Sequence, residues 1–255
     1  MMRALLSVAV VMLLGTAPAS AQVRVFGPGG PAPAMRDAAE RFEQESGTKV
    51  EIVSGPTPQW IDRARSEADL IYSGSDTMMT EFVRALPDLL HQSDVTPLYD
   101  RPATILVRKG NPLRVRGFRD LTRVDVDVMV VEGAGQNGLW EDLASRAGGI
   151  EFIGKLRPRI KQYAANSAAA REAWTKHPEI DAWVIWSIWQ VANPAIADQV
   201  AIERNIVHYR SMAVAVTRTN RSSADARAFA TFLAGPEAAG IFQRHGWRAP
   251  AALKQ

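Results

Sequence analysis

The chain has 255 residues, 47% of them hydrophobic and 22% charged, no cysteine, and a formal net charge of +3 from 30 Lys and Arg against 27 Asp and Glu. That length buries a sizeable core in one large or two small domains. The charge excess is weak and its basic residues (Arg108, Lys109, Arg114, Arg116, Arg157, Arg159, Lys161) are scattered rather than interleaved with aromatics, which argues against nucleic-acid binding. Without cysteine there is no disulfide framework, no thiolate metal site and no thioether lipid anchor.

The N-terminus carries Arg3, an apolar run from Ala4 to Leu14, then Gly15 and Ala19-Ser20-Ala21. This is the order of a secretory signal peptide, with cleavage expected before Gln22. No later stretch approaches the roughly 18 uninterrupted apolar residues of a spanning helix, so the mature chain is expected to be soluble and periplasmic.

After Gln22 the pattern alternates between β and α segments. A strand from Val23 breaks into the small-residue loop of GPGGPAPAM, followed by a helix from Ala34 to Ser46 that Gly47 ends. Then come a strand from Lys49 to Ser54, the loop Gly55 to Trp60, a charged helix ending near Glu67 and a strand from Asp69 to Tyr72. The turn Ser73-Gly74-Ser75-Asp76 leads into the next helix, with Asp76 as the expected N-cap. The pattern changes near Tyr99 to Pro102. A strand from Ala103 to Arg108 is closed by the turn Lys109 to Pro112. A second run has a strand from Val126 to Val131, the loop Glu132 to Gly138, a helix from Leu139 to Arg146, a basic stretch, a helix from Ala168 to Lys176 and a strand from Ala182 to Trp186. An apolar alternation from Met212 to Val216 precedes a terminal helix from Ser223. Such alternation predicts an α/β protein in two lobes, each a mostly parallel sheet flanked by helices, with ligands at the carboxyl ends of the strands.

Three of these strand ends open into small-residue loops just before a helical pattern. Loops of that kind let backbone N–H groups and positive helix ends close on an anion. The candidate ligand contacts are the N–H groups of Gly29, Gly30 and Ala32, the hydroxyls of Thr57, Ser73 and Ser75, Gln136 and Asn137 in the third loop, and Ser167 at a helix start. Trp60 and Trp186 stand at strand-to-helix junctions, where they would wall a cleft. Arg101 and Arg210 are candidate partners for a carboxylate, which a guanidinium grips bidentately. Plain structural roles stay open beside these: Ser73, Asp76 and Ser167 as helix caps, Gly29-Gly30 and Gly55-Pro56 as turns, the arginines as surface ion-pair partners.

Residues 133–138 spell GAGQNG, a literal G-x-G-x-x-G between a strand and a helix. A dinucleotide site also needs an acidic residue about 20 positions on, and Glu151 comes too early. His91, His177, His208 and His245 show no metal-ligand spacing, and there is no G-x-S-x-G nucleophile elbow. No cofactor and no metal are expected, and the chain reads as a binding protein rather than an enzyme.

From Thr104, TILVRKGNPLRVRGFRDL with the strand and glycine-rich loop after it, and from Ala226, ARAFATFLAGPEAAGIFQRHGW, resemble type II periplasmic solute-binding proteins of the molybdate and sulfate group. GPGGPAPAM from Gly27, GPTPQW from Gly55, YSGSDTMM from Tyr72 and GLWEDL from Gly138 are similar to the accessory colonisation factor C branch of that superfamily. One departure is the first loop: molybdate binders place a serine there, whereas Gly29-Gly30-Pro31-Ala32 offers only backbone donors. The resemblance implies two lobes joined by two crossing strands, near Arg101 to Thr104 and Tyr209 to Met212. Lobe one would comprise 22–102 and 211–255, and lobe two 103–210. It further implies a monomer that delivers a small anion, an inorganic oxyanion such as sulfate or a molybdate-like ion, to an inner-membrane ABC importer, with a chemoreceptor as a second partner. A small organic carboxylate is the alternative ligand. A hydrolase on the same scaffold lacks any acid, base and nucleophile constellation.

Overall fold

In the computed structural model, residues 22–133, 135–218 and 224–249 are described. The signal segment at 1–21 and the expected helix start at Ser223 lie outside them. The elements are β1 (Gln22–Gly27), α1 (Ala32–Ser46), β2 (Lys49–Ser54), α2 (Ile61–Glu67), β3 (Leu70–Tyr72), α3 (Asp76–Ala85), β4 (Val95–Val107), β5 (Val128–Val131), α4 (Leu139–Leu156), β6 (Ile160–Ala164), α5 (Ser167–Lys176), β7 (Ala182–Trp186), α6 (Ile188–Ala192), β8 (Asp198–Ala201), β9 (Tyr209–Val216), α7 (Ala224–Leu233) and α8 (Pro236–Arg244).

The strands run in the order β2-β1-β3-β9-β4-β7-β5-β6, with β8 also against β4. β1 is parallel to β2 and β3, and β5 is parallel to β6 and β7, as the alternating pattern predicts. Strands covered by helices on both faces must be apolar throughout. β3 (LIY), β5 (VMVV) and β7 (AWVIW) are accordingly buried at every position.

Between these two parallel groups runs β4, thirteen residues long. Its first part, Val95 to Pro102, pairs antiparallel with β9; its second part, Ala103 to Val107, pairs with β7 and β8. The sequence pattern suggested only the second part. Pro97 and Pro102 lack N–H donors and depress the strand signal, and the ladder shifts register between Pro97 and Asp100. β6 and β8 were also hidden, because β8 alternates between half-buried and exposed and β6 opens among Arg157, Arg159 and Lys161. The helix predicted from Leu139 to Arg146 continues past Gly148 and Gly149, which leave helical geometry (Gly149 φ 63°, ψ −150°), into a second helical stretch ending at Leu156.

Two caps differ from expectation. Ser75, not Asp76, caps α3: its Oγ accepts the Met78 N–H at 3.1 Å. Asp76 is then the first helical residue, where a carboxylate suits the positive end of the helix. α5 is capped by Asn166, whose Oδ1 accepts the Ala169 N–H at 2.9 Å, so Ser167 is the first residue of the helix.

After α8 the chain turns at Gly246 (φ 82°), where a Cβ would stand 3.0 Å from Val191 Cγ2 and 3.6 Å from Ile188 Cα of α6. Arg248 then exchanges both backbone hydrogen bonds with Asp100 of β4, each 2.9 Å. The C-terminal segment is thus laid beside the changeover in β4.

Candidate functional site

Loops from the carboxyl ends of β1, β2, β3, β5, β6 and β7 meet around a cavity of about 430 Å³. That is the position where open α/β sheets bind ligands. Pro28 to Pro31, Gly55 to Pro58, Gly74 and Met78 form one side; Gly133, Gly135, Gln136, Ala165 to Ala168, Trp186 and Trp189 form the other. Arg101 of β4 reaches in between them.

Close backbone approach sets the loops. At Gly27 a Cβ would fall 2.6 Å from the Tyr72 ring, and the Tyr72 hydroxyl donates to Pro28 O at 3.0 Å, which seats the first loop. The Gly55 N–H donates to Gly27 O at 3.2 Å, tying the second loop to the first. At Gly133 a Cβ would lie 2.9 Å from Ala165 O, so the third loop presses on the chain leading into α5. Gln136 Nε2 donates to Ser167 Oγ at 2.9 Å and fastens the two.

The cavity presents donors. Among the described residues, no acceptor is found for the N–H groups of Gly29 and Gly30 or for those of Ser167 and Ala168 in the first turn of α5. Arg101 is the single ionisable side chain among the described lining residues. It is 3% exposed, and its Nε and Nη1 have no hydrogen-bond partner. Burial, and then the like charge of its cross-strand partner Arg210, push its pKa down to about 9, which leaves it a cation at neutral pH. Taking a charge out of water without a partner costs several kcal/mol, a cost that no hydrogen bond to Nε or Nη1 offsets here. Carbon surface from the prolines, Met78, Trp186 and Trp189 covers the rest of the wall.

Several backbone groups of residues 133 and 135–137 are engaged within the loop and by its braces. Gly133 O accepts the N–H groups of Gln136 (2.7 Å) and Asn137 (2.9 Å). Gly135 O accepts from Trp186 Nε1 (3.2 Å) and Arg210 Nη1 (3.0 Å), and Asn137 O accepts from Arg210 Nη2 (2.7 Å). Amides closed onto Gly133 do not cradle a pyrophosphate, so the G-x-G-x-x-G match is a braced turn.

The structure therefore brings Gly29, Gly30, Thr57, Arg101, Gln136, Ser167 and Trp186 to one cavity. The other candidates are elsewhere, each for a local reason. Ala32 is buried behind the first loop, with its N–H on Gly29 O at 3.3 Å. Trp60 is 2% exposed and packs against Phe26 and Phe82, its indole N–H spent on Gly55 O. Ser73 Oγ accepts the Ala213 N–H at 3.2 Å, and Ser75 is the α3 cap. Asn137 and Arg210 face one another away from the cavity wall. Asn166, Met78 and Trp189 also line the cavity; for Trp189 the available signal was its place three residues beyond the strand end at Trp186.

Arg210→Ala should free the third loop from two charge-assisted bonds. We expect anion affinity to fall on the order of tenfold, about 1.4 kcal/mol, with faster hydrogen exchange at residues 135–139. Unchanged exchange there would contradict the bracing role.

Among the described residues, no group of three or more His, Asp or Glu could hold a metal ion, and no helix is long and apolar enough to cross a membrane. Residues 23–248 match the family model described as bacterial extracellular solute-binding protein. Peb3 from Campylobacter jejuni is 35% identical over 89% of this chain and 99% of that one, with a TM-score of 0.82. A structure of L-phospholactate-bound PEB3 superposes at the same identity and coverage with a TM-score of 0.83. The sulfate-binding protein SubI from Mycobacterium tuberculosis H37Rv, at 18% identity over 91% of this chain and 88% of that one, shares the fold with a TM-score of 0.77. No curated protein sequence matches the chain. The architecture is the two-lobed α/β fold of type II binding proteins, and the matched family and SubI are both described as binding proteins. With its matched span covering nearly the whole described chain, the protein belongs to the bacterial extracellular solute-binding proteins.

Proposed function

We propose that this protein captures a small organic anion in the periplasm, through Arg101 and the surrounding N–H groups, and hands it to an inner-membrane ABC importer. The observation that carries the reading is the buried Arg101 guanidinium, without a partner for Nε and Nη1, facing a cavity lined by donors. In this reading the lobes are 22–102 with 211–255, and 103–210, a division that the change of partners along β4 supports, and the protein acts as a monomer. The motifs from Gly27, Gly55, Tyr72 and Gly138 support a place in the accessory colonisation factor C branch.

Size and wall chemistry favour an organic guest over a bare oxyanion. The cavity's volume of about 430 Å³ falls in the range of roughly 300–1,000 Å³ typical of organic-ligand pockets. Met78, Trp186, Trp189 and the prolines offer carbon surface that sulfate or molybdate leaves unused. A short acid bearing a phosphate or carboxylate head uses both the cation and the apolar wall, and the phospholactate complex of the relative PEB3 supports that choice. The inorganic reading draws on the fold shared with the sulfate binder SubI.

A thermal-shift panel of L-phospholactate, di- and tricarboxylates, phosphate, sulfate and molybdate tests this. A ligand at a hundred times its Kd stabilises by about 2.7 kcal/mol, roughly 5–10 °C for a chain of this size. Organic anions should give the shift. A shift from inorganic ions alone overturns the organic reading, and no shift from any of them overturns the anion site.

The pH behaviour follows from the lining. Arg101 stays protonated well below its pKa of about 9, and no described lining residue is Asp, Glu, His or Lys. Affinity for an anion of constant charge, such as a small sulfonate, should therefore change by less than about threefold, under 0.7 kcal/mol, between pH 5.5 and pH 8 when measured calorimetrically. A steep change across that window would implicate a titrating group outside the lining.

A further inference from the structure

Arg101 is aimed into the cavity without a hydrogen bond to hold Nε or Nη1. Two aromatic rings stand against the guanidinium. The Trp186 ring, at the end of β7, lies with its centroid 4.9 Å from Arg101 Cζ, and the Trp247 ring lies at the same 4.9 Å. Gly74 gives the remaining room: a Cβ there would stand 3.3 Å from Nη2 and 3.4 Å from Nη1.

Trp247 is not a wall of the cavity. It is 3% exposed, and it is held on several sides. Its N–H donates to Phe242 O at 3.1 Å, and its ring meets Phe242 at 6.1 Å and 72°. The next residue, Arg248, is bonded twice to Asp100, the neighbour of Arg101. The turn before it, at Gly246, leaves no space for a side chain against Val191 and Ile188. Every one of these contacts locates the indole relative to Arg101.

We propose that Trp247 is a positioning residue for ligand capture: with Trp186 it clamps the Arg101 guanidinium in the direction of the cavity, although it touches no ligand itself. This rests on the reading of Arg101 as the anion contact. An aromatic face attracts a desolvated cation and resists its rotation, and tryptophan offers the strongest such face. The clamp draws one ring from the end of β7 and the other from the C-terminal segment. Without Trp247, the guanidinium is free to turn towards Asp76, the carboxylate whose charge acts on it, and the cavity loses its cation.

The test is calorimetric titration of the wild type and of Trp247→Leu, Trp247→Phe and Arg101→Met with L-phospholactate, alongside their unfolding midpoints. Trp247→Leu should weaken binding at least tenfold, and Trp247→Phe should restore most of the loss whatever its midpoint. Affinity within twofold of wild type in Trp247→Leu, with Arg101→Met not binding, overturns the clamp and leaves the anion site standing. Equal loss in the leucine and phenylalanine variants also overturns it, as does a loss of affinity that merely tracks the unfolding midpoint across the variants, the mark of a structural role. Should the wild type not bind L-phospholactate, the same titrations are run with the anion that gives the largest thermal shift; wild-type protein that binds none of the panel, or Arg101→Met that binds like wild type, overturns the anion reading and the clamp with it. If the leucine variant does not fold, Trp247→Met, whose unbranched, flexible side chain adapts to the space without a π face, is read by the same criteria.

Discussion

Arg101→Met should abolish anion binding and, at the same time, raise the unfolding midpoint of the ligand-free protein. The methionine keeps most of the aliphatic stem between Trp186 and Trp247 and removes a charge that is 3% exposed with Nε and Nη1 unpartnered. Two charge-assisted hydrogen bonds to a bound anion are worth about 1.5–3 kcal/mol each, so the loss corresponds to a roughly hundred- to ten-thousand-fold weaker Kd. In the empty protein the same guanidinium costs stability, because burial disfavours its charged form. Opposite signs in the two measurements are the signature of a residue kept for function at the expense of the fold. A midpoint that falls on substitution, with binding retained, would show that Arg101 is a structural cation whose partner was overlooked.

Trp174→Ala should produce the largest loss of stability and should carry the binding site with it. Trp174 is fully buried on α5, its Nε1 donates to Ile196 O at 3.0 Å, and its ring is tilted against Trp183 at 6.1 Å. The Arg108 guanidinium lies 3.7 Å from the ring centroid and donates to the carbonyls of Trp174, His177 and Ile180, closing the end of the helix. Truncating a buried tryptophan costs about 3–5 kcal/mol, or roughly 6–20 °C in Tm for a chain of this size. Because α5 carries Ser167 and Ala168 at the cavity, calorimetry at a temperature where the variant is folded should show weaker anion binding as well. A variant with wild-type Tm would mean that the interior around α5 relaxes into the space, contrary to the contacts described.

The strand-to-loop transitions were legible because parallel strands and small-residue loops write themselves locally: β1, β2, β5 and β7 fall where their β-formers stand, and their loops do converge. Side-chain roles were harder to read. Ser73 and Ser75 carry the right hydroxyls at the right loop, yet each is consumed by a nearby N–H, one across the sheet at Ala213 and one in its own helix. Trp60 and Trp189 both follow a strand end, and only the packing of Trp60 on Phe26 and Phe82 assigns one to the interior and the other to the wall. Arg101 could be named from its place near a crossing. Its lack of a partner depends on Trp186, 85 positions on, and Trp247, 146 positions on, which no local pattern announces.

The continuity of β4 has a mechanical consequence. Arg101 stands one residue before Pro102, the last residue of β4 paired with β9, and Ala103 is the first paired with β7. Any swing of one half against the other about that point would give Arg101 a short lever arm. On the proposed capture role, such a swing would carry the glycine-rich bends towards a nearly stationary charge, so that a guest is anchored at the axle first and enclosed afterwards.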